Sequence, residues 1–103
     1  MSQTVYYIGR EYERFSQPGV FYGKIPLTEL EKLWSGDKDA LEEADGWFNP
    51  YMENPVDLLK ELKVNSGTYF VDEEIEVAFG LTRESALFKF AEMVNGSSSI
   101  TDW

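Results

Sequence analysis

The chain contains neither cysteine nor histidine. Without cysteine it has no disulfide framework, no thiolate metal site and no thiol nucleophile, which fits the reducing cytoplasm where we expect the protein to reside. Without histidine it lacks the usual base of a catalytic triad and the commonest zinc ligand. The sequence therefore predicts a protein that is not an enzyme and that needs neither a cofactor nor a metal ion.

Two phosphate-binding motifs are also missing, the Gly-x-x-x-x-Gly-Lys-Ser/Thr loop and the Gly-x-Gly-x-x-Gly turn. An acidic run that starts at Asp37 has the first two ligand positions of a calcium loop. It fails at the third, where Leu41 stands, and Glu42 replaces the glycine that the loop needs for its turn. The twelfth position is Phe48 rather than a carboxylate, so no calcium site is expected.

Long apolar runs are absent too. No stretch is long enough to span a bilayer, and the first four residues lack the basic region and apolar run of a secretory signal. The 103 residues nevertheless include 43% apolar and 16% aromatic side chains, which predicts a folded chain despite its charge. We expect one compact acidic domain over residues 1–96 and a short polar tail over 97–103.

Basic residues are few, nine against 19 acidic ones, and the net charge is −10. Residues 1–36 hold four acids and four bases, so the whole excess lies later in the chain. Residues 37–57 contain seven acids and one base, and residues 64–82 contain four acids and no base. Such a chain is repelled by nucleic acid and by anionic membranes, and it is attracted to basic protein surfaces. General solubility is the alternative explanation.

The hydrophobic pattern predicts an α+β fold in which a small antiparallel sheet of about four strands carries three to four helices, mainly on one face. The first two strands are expected to pair as a hairpin, and the last two as another. The strands are predicted over residues 4–8, 20–25, 68–71 and 75–79, and residues 9–15 either continue the first strand or form a loop.

Helix signals lie between and after these strands. A capping box at Thr28–Glu31 predicts a helix that ends near Ser35, and Asn54-Pro55 begins another. Between them a short helix, capped by Asp37 or Asp39, is expected to run through Ala44. The last helix is predicted to begin at the capping residue Thr82 and to end at Asn95-Gly96. Its core-facing residues are predicted to be Leu87, Phe90, Ala91 and Val94.

Three segments are candidates for binding a partner. One is the acidic hairpin formed by residues 72–76, and the second is the acidic helix predicted over 39–45. The third is the loop over 47–52, whose aromatic residues are of the type that dominates interface hot spots. Each has a structural alternative: a solvated turn and charged strand edge, a solvated helix face, and aromatic packing on the domain's own core. The candidate partner-binding residues are Asp37, Asp39, Glu42, Glu43, Asp45, Trp47, Phe48, Tyr51, Glu53, Asp72, Glu73, Glu74 and Glu76.

In size and composition the chain resembles phage-encoded anti-defence proteins, of the anti-CRISPR and anti-restriction kinds, and immunity proteins of nuclease toxins. No stretch matches a family motif. The leading hypothesis is an acidic inhibitor, a monomer or homodimer, that blocks a basic nucleic-acid-binding effector or nuclease and touches neither nucleic acid nor membrane. The alternatives are an adaptor that binds through the aromatic loop or the tail at Ile100–Trp103, and a hydrolase based on carboxylate pairs such as Glu42/Glu43.

Overall fold

A computed structural model of the chain describes residues 3–11, 19–35, 39, 55–71 and 75–98. These residues form a four-stranded antiparallel sheet and three helices of 8, 11 and 16 residues, which confirms the α+β prediction. In chain order the elements are β1 (Thr4–Glu11), β2 (Gly19–Pro26), α1 (Leu27–Trp34), α2 (Pro55–Asn65), β3 (Gly67–Val71), β4 (Ile75–Gly80) and α3 (Arg83–Ser98).

The strands lie in the order β2-β1-β4-β3, so both predicted hairpins are present and β1 joins them by pairing with β4. β1 continues beyond residue 8, which is one of the two alternatives predicted there, because its pairing with both neighbours extends to Glu11. β4 is an interior strand, and every residue from Glu76 to Gly80 is buried.

The first face of the sheet, which carries Val5, Val77 and Phe79, packs against α1 and α2. Trp34 at the end of α1 meets Phe79 edge to face, with ring centroids 4.9 Å apart. This is the favoured geometry for two aromatic rings and adds to the large area that both bury. The buried cluster on this face comprises Val5, Leu27, Leu30, Trp34, Leu58, Leu62, Phe70, Val77 and Phe79.

The second face of the sheet is covered by α3 over β4 and β3. A side chain at Gly80 would collide with the backbone of Ser85 and Ala86, and one at Gly67 would collide with the stem of Lys89. Both strand positions point to the same face because they are register partners. Glycine at these two positions therefore lets the helix approach the sheet closely.

The buried stripe of α3 differs from the predicted one. Ala86 and Met93 are its buried residues, whereas Leu87 is 56% exposed. The helix also continues past Asn95-Gly96 to Ser98. The predicted stripe was wrong for Leu87 and Ala91, which are exposed, whereas Phe90 and Val94 are half-buried. Helical spacing alone allows two neighbouring stripes, and the close approach at Gly80 selects the one that begins with the small side chain of Ala86.

The starts of α1 and α3 test two predicted N-caps, of which one is wrong and the other is confirmed. Thr28 is not a cap, because α1 begins at Leu27 and its N-cap position is Pro26, which has no side-chain cap. The Leu27 amide instead donates a hydrogen bond to the Gln3 carbonyl, 2.8 Å away. Thr82 does cap α3, since its hydroxyl oxygen accepts a hydrogen bond from the Ser85 amide at 3.0 Å.

No helix in the described ranges combines the length and the apolar character needed to cross a membrane.

Candidate functional site

The predicted partner-binding residues fall mostly outside the described residues. Asp39 is described, and it is helical and exposed, whereas the rest of the predicted acidic helix lies outside the described residues. Glu76 is described as well. The others, together with the Ile100–Trp103 tail of the adaptor hypothesis, lie outside the described ranges: Asp37, Glu42, Glu43, Asp45, Trp47, Phe48, Tyr51, Glu53, Asp72, Glu73 and Glu74.

Glu76 does not offer a free surface carboxylate, so its inclusion in an exposed acidic hairpin was wrong. The residue is only 3% exposed. Its Oε2 atom accepts a hydrogen bond from Nε of Arg10 at 2.6 Å, which makes a charge-assisted ion pair across the β1–β4 register. The physical reason is that β4 is an interior strand, so a carboxylate there needs a cation from a neighbouring strand.

The other acids of that hairpin belong to residues 72–74, which connect β3 to β4 at one identifiable end of the sheet. β3 ends at Val71 and β4 begins at Ile75, and the register places Glu76 opposite both Val71 and Arg10. Glu11, at the end of β1, pairs with Ile75. The connection between β3 and β4 therefore leaves from the end of the sheet at which β1 also ends.

The beginning of α2 lies at the same end. Only Ser66, which has a positive φ of 61°, separates α2 from β3, and the two elements share the core through Leu58, Leu62 and Phe70. A helix and a strand that are packed together and joined by one residue run in opposite directions. Since eleven helical residues and five strand residues both span about 16 Å, Pro55 lies near the level of Val71.

The sequence charge divides unevenly between the described elements and the remaining segments. The helices and strands from β1 to α3 hold eight acidic and seven basic side chains. By contrast, residues 36–54 and 72–74 together hold nine of the 19 acidic residues and only one of the nine basic ones. We name as the acidic end the end of the fold at Pro55, Val71 and Ile75, because both acidic segments join the described elements there.

A groove on the second face is a feature that sequence reasoning missed. It lies over β1 and β2 beside α3, on a part of the sheet that no other described helix covers, and its volume is about 460 Å³. The residues that line it are Tyr6, Tyr7, Ile8, Tyr22, Gly23, Lys24, Arg83, Ala86 and Leu87. The signal that could have revealed it is in β2, where apolar side chains occupy both faces of a strand, as in Val20 and Tyr22 against Phe21 and Ile25.

Two charged side chains stand at this groove, and both are cations. The Arg83 guanidinium carbon lies 5.6 Å from the centroid of the Tyr6 ring, which is a cation–π geometry. Lys24 comes from β2, on the opposite side from α3. None of the described residues that line the groove is acidic.

Within the described ranges, no three acidic side chains come together in a group that could hold a metal ion. No buried side-chain nitrogen or oxygen in those ranges is left without a hydrogen-bond partner. The described part of the fold thus has three notable features: an ion pair inside the sheet, an acidic end, and an apolar groove with two cations. No protein-family model, curated protein sequence or solved structure matches the chain.

Proposed function

We propose that this protein is a non-catalytic inhibitor whose acidic end binds a basic, nucleic-acid-binding surface of a larger protein and blocks it. The observation that carries the proposal is the common position of Pro55, Val71 and Ile75 at one end of the fold. The two most acidic segments of the chain, 36–54 and 72–74, both join the described elements at that end. Their carboxylates would take the place of nucleic-acid phosphates.

The charge of the remaining scaffold supports the same proposal. The described residues are close to balance, and three of their acids are paired with bases: Glu76 with Arg10, Glu31 with Lys63, and Glu92 with Lys89. On this proposal the negative field is directed from one end rather than spread over the molecule. A directed field speeds the encounter with a basic surface and sets the orientation of binding.

The partner class follows from this chemistry. A surface that binds phosphates carries clustered lysine and arginine, and such surfaces belong to nucleases and to nucleic-acid-guided or restriction effectors. The proposal therefore places the protein among inhibitors of the anti-CRISPR, anti-restriction or nuclease-immunity kind. It acts in the cytoplasm as a monomer or homodimer, and neither nucleic acid nor membrane is its direct partner.

A pair of charge-matched variants tests the proposal. D72N/E73Q/E74Q removes three charges at the acidic end, and E29Q/E61Q/E84Q removes three from exposed positions on the helices. The wild type and both variants are immobilised and exposed to a nuclease-treated bacterial lysate, and captured proteins are quantified by mass spectrometry. We expect the first variant to lose a captured nucleic-acid-binding protein by roughly tenfold or more, equivalent to about 1.4 kcal/mol, and the control to retain it.

The captured protein then provides the decisive measurement. Wild type should displace a labelled oligonucleotide from the purified partner, and its association rate should fall steeply as NaCl rises from low to moderate concentration. Equal capture by the two variants would contradict the proposal. So would a partner that keeps its oligonucleotide at saturating inhibitor, or an association rate that does not depend on salt.

A further inference from the structure

The two faces of the sheet are covered unequally. Of the helices that the structure describes, α1 and α2 lie side by side on the first face, whereas the second face carries α3 alone. The half of the second face formed by β1 and β2 is left open to the groove, where Tyr22 is 81% exposed and Leu87 is 56% exposed. Large apolar side chains grouped on an open face are typical of a surface that binds another molecule.

The charges at the groove are opposite in sign to the protein as a whole. Lys24 on the β2 side and Arg83 on the α3 side are both cations, in a chain with a net charge of −10. Neither forms a salt bridge with a described carboxylate, although three other bases in the same ranges do. The groove thus combines an apolar floor with a positive charge at each side.

This combination selects an elongated, amphipathic and acidic occupant. A small-molecule site buries most of its ligand, and the 81% exposure of Tyr22 shows that this groove is too open for that. A helix lying beside α3 would cover β1 and β2 as α1 covers them on the first face. We propose that the groove docks an α-helix of another protein, whose apolar stripe is flanked by acidic side chains.

The contacts follow from the positions of the lining residues. The apolar stripe of the docked helix packs on Ile8, Tyr22 and Leu87, and its acidic flanks face Lys24 on one side and Arg83 on the other. Burial of the apolar stripe supplies most of the affinity, and the two cations fix the orientation. The cation–π contact with Tyr6 holds the Arg83 guanidinium in place before binding, so less side-chain entropy is lost.

A fluorescein-labelled helical peptide of about 18 residues tests the site, since five turns cover the length of the strands. Its leucines repeat at helical spacing and all other positions are glutamate or glutamine, while a second peptide carries lysine in place of glutamate. Fluorescence anisotropy at 0.15 M NaCl should show binding of the glutamate peptide and at least roughly tenfold weaker binding of the lysine peptide. This preference is diagnostic because the net charge of the protein favours the opposite one.

Two matched pairs of variants locate the binding. L87D should abolish it and F88D should not, because Phe88 is the next residue on α3, is 68% exposed and does not line the groove. K24E/R83E should weaken it by roughly tenfold or more, whereas K32E/K60E changes the same charge on exposed positions of α1 and α2 and should leave it unchanged. Circular dichroism confirms that each variant is folded.

Three results would overturn the inference. These are tighter binding of the lysine peptide, equal loss in L87D and F88D, and a concentration-dependent dimer in analytical ultracentrifugation that L87D abolishes, which would assign the groove to a second copy of the chain. The groove and the acidic end are tested separately, because D72N/E73Q/E74Q should leave peptide binding intact and L87D should leave lysate capture intact.

Discussion

The ion pair between Arg10 and Glu76 shows that the interpretation of a charged residue depends on its position in the sheet. In the sequence Glu76 stands in a run of acids, and charge alone assigns it to an exposed surface. In the sheet it is a buried carboxylate that is neutralised by a guanidinium from the neighbouring strand. Glu76 is therefore a buried ion-pair partner within the sheet and does not belong to an exposed acidic surface.

Removal of either member of this pair should destabilise the fold, and by different amounts. Arg10→Ala leaves a carboxylate whose side chain is 4% exposed without its cation, at a cost of about 3–5 kcal/mol. Glu76→Ala leaves a guanidinium that is 23% exposed and therefore partly hydrated, at a smaller cost of about 1–3 kcal/mol. Urea unfolding followed by circular dichroism measures both free energies. Losses below about 0.5 kcal/mol in both variants would show that the pair is dispensable.

At the level of single helices, a residue type that favours the N-cap position does not always occupy it, because a backbone hydrogen bond can start the helix earlier in the chain. Thr28 and Thr82 both carry the expected residue type. Only Thr82 occupies the N-cap position, because the hydrogen bond from the Leu27 amide to Gln3 starts α1 one residue before Thr28. An exposed threonine inside the first turn then contributes only its helix propensity.

Alanine at these two positions should therefore have different effects. Thr82→Ala removes the acceptor for the Ser85 amide and should lower the free energy of unfolding by about 1 kcal/mol. Thr28→Ala removes no cap and replaces threonine with a better helix former, so we expect a change within about 0.5 kcal/mol of zero or a slight gain. Chemical denaturation of the two variants in parallel gives the comparison, and equal losses would mean that Thr28 has a structural role after all.

At the scale of the whole molecule, the uneven distribution of charge has a consequence for stability. Residues 36–54 and 72–74 hold nine acids and one base, so like charges dominate both segments, and added salt screens the repulsion between them. The exposed ion pairs, such as Lys63–Glu31 at 2.7 Å, are each worth less than about 1 kcal/mol, so their loss in salt does not offset the gain.

We therefore expect the Tm to rise with NaCl between about 0.02 and 0.5 M, because a net charge of −10 destabilises a compact state through self-repulsion and salt screens that repulsion. D72N/E73Q/E74Q should have a higher Tm at low salt and a smaller rise, whereas E29Q/E61Q/E84Q should respond more like the wild type. Differential scanning calorimetry provides the measurement. A Tm that falls as NaCl is added would show that attractive ion pairs, rather than repulsion, dominate the electrostatics of the fold.

Local periodicity and composition were enough to predict the α+β class, the two hairpins, and the type and approximate bounds of the described helices and strands, and the position of the acids along the chain can be read directly from the residues. They could not show that Glu76 is buried, that Leu87 rather than Ala86 is exposed, or that the groove on the second face carries two cations. Those facts depend on which strand is interior and on which glycines admit α3 to the sheet. Both are set by contacts between residues far apart in the chain, which no local pattern records.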